Sequence, residues 1–413
     1  MRELTESVTS DSPSSEFFSA IQLYAIDEPL LPNLKTLRLV KIKGWFIPFI
    51  PLFLSQRTTS VTLGFGPSLQ PEATRMIASV ITTLPTLCLD LQTICLYCLP
   101  SGSIITAIVS NMLLNTNRNT LQRFCVESSL TVDASKVLYK LPNLRDLSVD
   151  IEGGTSLPPA SLPNLTDLTI TSDNEDNWPQ IFHGATFGKL ESVTFYPQFE
   201  EVDDFLEVFE MAALSSSIQN TLSKFHIYTP YPWDPNYYSL LPFTQMVELD
   251  IEFLCEDGCS STVDDEIINN LSRAMPKLES LVLCDATCDQ IITGVTTKGL
   301  LALAHHCPKL STLCVHIQVA SLCEPLGIPG MVPTAGPAAS WTDCALTDLA
   351  VGEARVPEGS AMIIALTLLR IFPRLRSIEF ADEAEGWEEV GKAINCSREI
   401  IDCSSKQRPF ITP

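Results

Sequence analysis

Three features of the sequence predict an α/β solenoid, with a curved parallel sheet on one face and helices and irregular segments on the other. A short apolar pattern, L-x-x-L-x-L, recurs along nearly the whole chain. Proline-bearing leads precede many of its copies, and stretches with helical spacing lie between them. A unit of one helix and one strand cannot bury both apolar faces alone. Stacking of like units is the physical route to a core.

The copies run in order from Leu34-Leu37-Leu39 and the degenerate Thr58-Val61-Leu63 to Leu91-Ile94-Leu96, Leu121-Phe124-Val126 and Leu144-Leu147-Val149. Leu165-Leu168-Ile170, Leu190-Val193-Phe195, Leu222-Phe225-Ile227 and Met246-Leu249-Ile251 follow. Leu278-Leu281-Leu283, Leu310-Leu313-Val315, Leu346-Leu349-Val351 and Leu375-Ile378-Phe380 complete thirteen, at intervals of roughly 21–36 residues. The fourth and sixth positions alternate on one strand face and point to the core. The third, fifth and seventh then point outward. Leads such as Leu31-Pro32-Asn33, Leu141-Pro142-Asn143 and Cys307-Pro308-Lys309 end the preceding segment, because the residue before proline leaves the α region.

Helices are expected at Pro71–Thr83, Gly102–Asn115, Asp203–Ser216, Asp264–Ala274 and Pro357–Ile371. The copies ending at Val149 and Ile170 have room before them for only a turn of helix. The best-formed unit is Val295–Ile317, where Thr296 or Thr297 caps a helix carrying Leu300, Leu303 and Ala304. Trp45–Leu54, broken by Pro48 and Pro51, reads as a buried turn. Tyr228–Tyr238 and Ala320–Ser340 are proline-rich insertions, expected to form neither helix nor strand. Met1–Pro13 reads as a frayed polar tail. The expected organisation is a tail and lead-in over 1–30, the solenoid over 31–380, and a cap over 381–413 with a short helix around Trp387–Ile394.

Apolar residues form 45 % of the chain and the formal charge is −23, with a mean hydropathy of +0.18. That charge excludes nonspecific attraction to nucleic acid or anionic membranes, which needs clustered Lys and Arg. A basic protein partner fits better. No apolar leader or membrane-length run is present, and fourteen cysteines without a secretion signal point to reduced thiols in the cytoplasm or nucleus.

The lead-plus-strand pattern resembles the leucine-rich repeat. Gly299, Leu300, Cys307, Pro308 and Leu310 resemble the cysteine-containing type of F-box/leucine-rich-repeat proteins, and Phe17–Leu39 is similar to the segment after the F-box in their fungal members. The resemblance covers about 350 residues. It implies a leucine-rich-repeat solenoid serving as the substrate-binding part of a Skp–cullin–F-box ubiquitin ligase receptor, acting in ubiquitin-dependent protein degradation. Some thirty residues precede Leu34, too few for a three-helix F-box. Adaptor binding is therefore expected only of a longer form.

The outward strand positions carry an acidic series beside an aromatic one. The acidic residues are Asp146, Asp150, Asp167, Glu248, Asp250 and Glu252, and Tyr196, His226 and Tyr228 lie among them. Tyr231 and Trp233, just past a strand, can rim the same face. Aromatic anchors with acidic flanks suit a basic partner; equally, the acids can merely solvate the sheet. Cys95-x-x-Cys98 has a metal or redox spacing without a second matching pair. Cys255, Cys259, Cys284 and Cys288 follow adjacent strands, where zinc binding is open beside simple packing. His305 and His306 suit a helix C-terminus without any metal. No GxSxG, GxGxxG, P-loop or HExxH occurs, so neither catalysis, cofactor nor metal is expected. Two functions remain: a ligase substrate receptor, or a free-standing scaffold or inhibitor that binds a basic protein.

Overall fold

Within each unit a single carbonyl of one copy sets the start of the next strand. Thr59 and Ser60 both donate their N–H to Lys35 O, Gln92 and Thr93 to Thr59 O, and Gln122 and Arg123 to Gln92 O. The same device recurs at Ser223, Val247, Glu279, Ser311 and Thr347, each accepting from two consecutive N–H groups of the following copy. It tolerates copies of very different length, because the intervening chain lies outside it. Thr166 reaches back 21 residues to Arg145 and Thr347 reaches back 36 to Ser311.

The structure is a computed structural model that describes residues 3–7, 20, 29–66, 71–138, 140–151, 161–172, 186–198, 216–229, 237–253, 263–283, 294–324, 343–351, 355–380 and 385–406. The chain divides into two units, Met1–Phe199 and Glu200–Pro413, taken separately below.

In the first unit the strands are β1 (Glu3–Ser7), β2 (Thr36–Ile42), β3 (Ser60–Phe65), β4 (Thr93–Tyr97), β5 (Arg123–Ser129), β6 (Asp146–Ile151), β7 (Ser161–Leu162), β8 (Asp167–Ser172), β9 (Thr186–Phe187) and β10 (Ser192–Pro197). They pair in parallel in the order β1-β2-β3-β4-β5-β6-β8-β10, with β7 and β9 forming a separate pair. The second layer is helical: α1 (Pro71–Leu87), α2 (Ser103–Asn115) and α3 (Val132–Leu138) pack in sequence. A 3-10 helix, Gly44–Phe53, packs against α1 and buries Phe46, Ile47, Phe49 and Ile50. Pro48 and Pro51 are three residues apart, so both lie on one edge of a three-residue turn. The buried turn expected there is thus a short helix.

In the second unit α4 (Ser216–Gln219) precedes β11 (Lys224–Thr229), followed by β12 (Glu248–Phe253), α5 (Asp265–Ala274), β13 (Ser280–Val282), α6 (Thr297–His306), β14 (Thr312–Val315), α7 (Val319–Cys323), β15 (Asp348–Val351), α8 (Ala361–Ile371), β16 (Ser377–Phe380) and α9 (Trp387–Lys406). The strands pair in parallel in chain order. Packing runs from α5 to α6, from α6 and α7 to α8, and from α8 to α9.

The first, fourth and sixth positions are buried in every copy but the last. There Leu375 is buried, Ile378 is half-buried and Phe380 is 37 % exposed. Among the described residues β16 pairs with β15 alone, so the inward expectation departs at the last described strand of the sheet. The cap helix is longer than expected, running to Lys406, and buries Trp387, Val390 and Ile394. Four other expectations change, the first being that the Tyr228–Tyr238 insertion begins on β11 and ends in a 3-10 helix, Tyr237–Leu240. Glu3–Ser7 pairs with β2 as a strand rather than fraying, α3 has seven residues where a turn was expected, and α7 takes up the start of the Ala320–Ser340 insertion. The expected helix at Asp203–Ser216 lies outside the described residues except for Ser216.

The unit Val295–Ile317 shows why its Gly and Cys stand where they do. Thr296 caps α6 by accepting from Lys298 N–H. The Asp265 carboxylate, from the start of α5, accepts from Thr296 N–H at 2.8 Å and Gly299 N–H at 3.0 Å. A carboxylate is favoured at that positive helix end. At the other end Cys307 shares its S–H between Ser272 O and Met275 O, and Cys344 repeats the contact on Cys307 O and Leu310 O. These thiols tie each corner to the one before it, where Met275 O and Cys307 O also accept from Leu278 and Leu310 N–H.

Candidate functional site

Strands β11 and β12 bring together five of the expected residues. Phe225, Ile227, Leu249 and Ile251 are wholly buried, so the alternate positions must face the other way. Parallel register sets Lys224 beside Glu248, His226 beside Asp250 and Tyr228 beside Glu252. Lys224 Nζ lies 2.7 Å from Glu248 Oε1, and His226 Nε2 lies 3.7 Å from Glu248 Oε2. Tyr228 OH donates to Asp250 Oδ2 at 2.9 Å, and His226 Nδ1 is 3.4 Å from the same oxygen. The imidazole and phenol rings lie parallel, 6.3 Å apart.

Glu248 and Asp250 stand on the outward face as expected, each paired with side chains of the preceding copy. Both carboxylates are engaged by the neighbouring copy, whereas Glu252 is exposed. The sequence missed Lys224 as the counter-charge. Its signal was present, since Lys224 and Glu248 occupy the third position of consecutive copies.

In the first unit Asp146, Asp150, Asp167 and Tyr196 take outward positions on β6, β8 and β10. Asp146 stands beside Asp167, and Tyr196 beside Thr171. Asp146 Oδ2 is 3.0 Å from Arg123 Nε. Burial pushes the Asp146 carboxyl pKa up, while Arg123 pulls it down and Asp167 adds to the rise. Asp167 accepts a hydrogen bond from Thr166 Oγ1 at 2.7 Å and is exposed. Tyr231 and Trp233 lie outside the described residues, as do Cys255, Cys259, Cys284 and Cys288.

A second cluster was not foreseen. Cys95 faces Cys125 on β4 and β5 in direct register. Arg123 Nε donates to Cys125 Sγ at 3.4 Å, and Cys125 Sγ–H donates to Asp146 Oδ1 at 3.7 Å. Hydrogen bonds from Cys125, Tyr97 and Thr62 and the charge of Arg123 outweigh burial, bringing the Cys95 thiol down to about 6. The sequence reading pairs Cys95 with Cys98, which is exposed, past the strand end, at a φ of 53°. The real signal was the shared fifth position of two consecutive copies.

His305 and His306 meet edge to face, 4.9 Å between ring centres. The pKa of His306 is lowered, chiefly by desolvation and then by His305 and Arg273. Among the described residues no three His, Cys, Asp or Glu side chains gather as a metal-ligating group. No described helix is long and apolar enough to cross a membrane. Comparison with protein-family models and with curated proteins gave no match for this chain.

Proposed function

We propose that this chain is a leucine-rich-repeat recognition module whose outward strand positions hold a protein partner. By its resemblance to F-box/leucine-rich-repeat proteins, that partner is a substrate destined for a Skp–cullin–F-box ligase. The observation that carries the reading is the register. In-line pairing of β11 through β16 places equivalent outward residues side by side, from Lys224 through Glu248, Ser280, Thr312 and Asp348 to Ser377. A row of polar side chains on a rigid parallel sheet is preorganised and loses little conformational freedom on docking. Such a receptor performs no bond chemistry; it raises the local concentration of its substrate.

The partner is basic. The chain carries −23, and exposed Glu252 lies next to the Tyr228–Asp250 pair, a combination that steers and anchors a cationic segment. Affinity capture with the full chain, followed by mass spectrometry, identifies the partner. Glu248→Lys with Asp250→Lys is expected to weaken capture at least tenfold and to reduce its salt sensitivity. Unaltered capture excludes this face. Co-purification with a Skp-type adaptor, from this chain and from an N-terminally extended one, separates a ligase receptor from a free-standing scaffold.

A further inference from the structure

We propose that Cys95 and Cys125 form a dithiol site for hydroperoxides, closing reversibly to a disulfide between β4 and β5. Placement comes first. The two are direct register partners on adjacent strands, which sets their Cα atoms about 4.8 Å apart. That lies within the roughly 4.4–6.8 Å that a disulfide spans. Both side chains are 3 % exposed, so a peroxide, little larger than water, is the class of oxidant that fits.

Chemistry comes second. The thiolate is the nucleophile, and donors and cations around a thiol favour it. The pKa of the Cys95 thiol is lowered by its interaction with the Cys125 thiol, by Tyr97 and Thr62, and by the Arg123 guanidinium nearby. Cys125 shows the opposite tendency: interaction with Cys95 and burial raise its pKa, and its S–H donates to Asp146 Oδ1 at 3.7 Å. Cys125, whose proton is engaged by Asp146, is the resolving partner, and Cys95 attacks. The corner thiols make a contrast within the same chain. Cys88 and Cys307 are pushed up to about 12, chiefly by burial, and have no role as nucleophiles.

In the first step the Cys95 thiolate attacks one peroxide oxygen. The O–O bond breaks, Cys95 becomes a sulfenic acid, and hydroxide (or alkoxide) leaves. In the second step Cys125 sulfur attacks the Cys95 sulfur and the S–O bond breaks. The departing hydroxide takes the Cys125 proton as water. Two sulfurs are each oxidised by one electron, and the peroxide is reduced by two.

The test treats the reduced full chain with equimolar hydrogen peroxide near pH 7, followed by alkylation, trypsin digestion and mass spectrometry. The expected product joins peptide 76–118 to peptide 124–136, with fragment ions placing the bond at Cys95 and Cys125, and dithiothreitol reverses it. Cys125→Ser is expected to stop at the Cys95 sulfenic acid, captured by dimedone, and Cys95→Ser to give neither product. Arg123→Gln is expected to slow the reaction severalfold, with circular dichroism confirming an unchanged fold. Oxidation of exposed Cys98 and Cys396 while Cys95 persists as a free thiol overturns the proposal. So does the same linked peptide arising from the Cys95→Ser chain.

Discussion

A methyl group added at Gly299 would sit 2.6 Å from Asp265 Oδ1 and 2.6 Å from Val295 Cγ1. Neither neighbour is free to give way. Asp265 is tied to Thr296 and to Gly299 itself, and Val295 is wholly buried. Gly299→Ala is expected to cost about 1–3 kcal/mol by overpacking, read from the urea midpoint. Combined with Asp265→Ala it should be less than additive, since both changes break the same contact. The corner thiol Cys307 makes a pH-dependent contribution. Its folded pKa is about 12 against an ordinary 9.0, so its stabilisation is full below pH 9 and lost as pH rises toward 12. Stability should fall there by up to about 1.4 kcal/mol per pH unit for that thiol. Cys307→Ser, which does not titrate in this range, should flatten the decline in chemical unfolding curves. A decline of the same slope in the variant would assign the loss to other groups. Gly299 and Cys307 were visible in the sequence as members of a pattern. Their physical reasons were not, because each partner lies in the preceding copy, 34 residues back for Asp265 and 35 for Ser272.

At the scale of elements, legibility followed local signals. Helix α5 begins where Asp264 accepts from Glu266 and Ile267 N–H, each at 2.9 Å, and the acidic start of Asp264–Ala274 announced it. Strand β1 gave no such signal. Four of its five residues, Glu3–Ser7, are polar, and what orders them is the open edge of β2, a feature that exists only once β2 has formed. The cap was legible in place and not in length. Trp387, Val390 and Ile394 recur at helical spacing and are buried, while the helix itself continues to Lys406. Trp387 is the largest wholly buried side chain of the described residues. Trp387→Ala is therefore expected to cost about 3–5 kcal/mol and to loosen α8 and β16, which α9 contacts. Hydrogen exchange resolved by peptide checks both. Undiminished protection across α8 would show that α9 does not cap that layer.

For the whole molecule, the repeat pattern disclosed which residues form strands, because inward positions share one chemistry. It did not disclose what the outward positions do, because their meaning depends on the neighbour that register supplies. Glu248 reads as a free acid until Lys224 is set beside it, and Cys95 as half of a CxxC until Cys125 is. The same dependence makes a last expectation specific to stacking. Where copies pack mainly on their sequence neighbours, as the in-order strand pairing of this unit has it, a defect should spread to adjacent copies and fade with distance. Leu313, on β14 and at the fourth position of its copy, is wholly buried and paired with Leu281 of β13 and Leu349 of β15. Leu313→Ala should cost about 2–5 kcal/mol. In a native-state exchange experiment the amides of β13, β14 and β15 should lose most protection, while those of β11, three strands away within the same unit, should lose much less. Equal loss from β11 to β16 would mean that the unit unfolds as one cooperative body, and the repeat-by-repeat account of its stability would then be wrong.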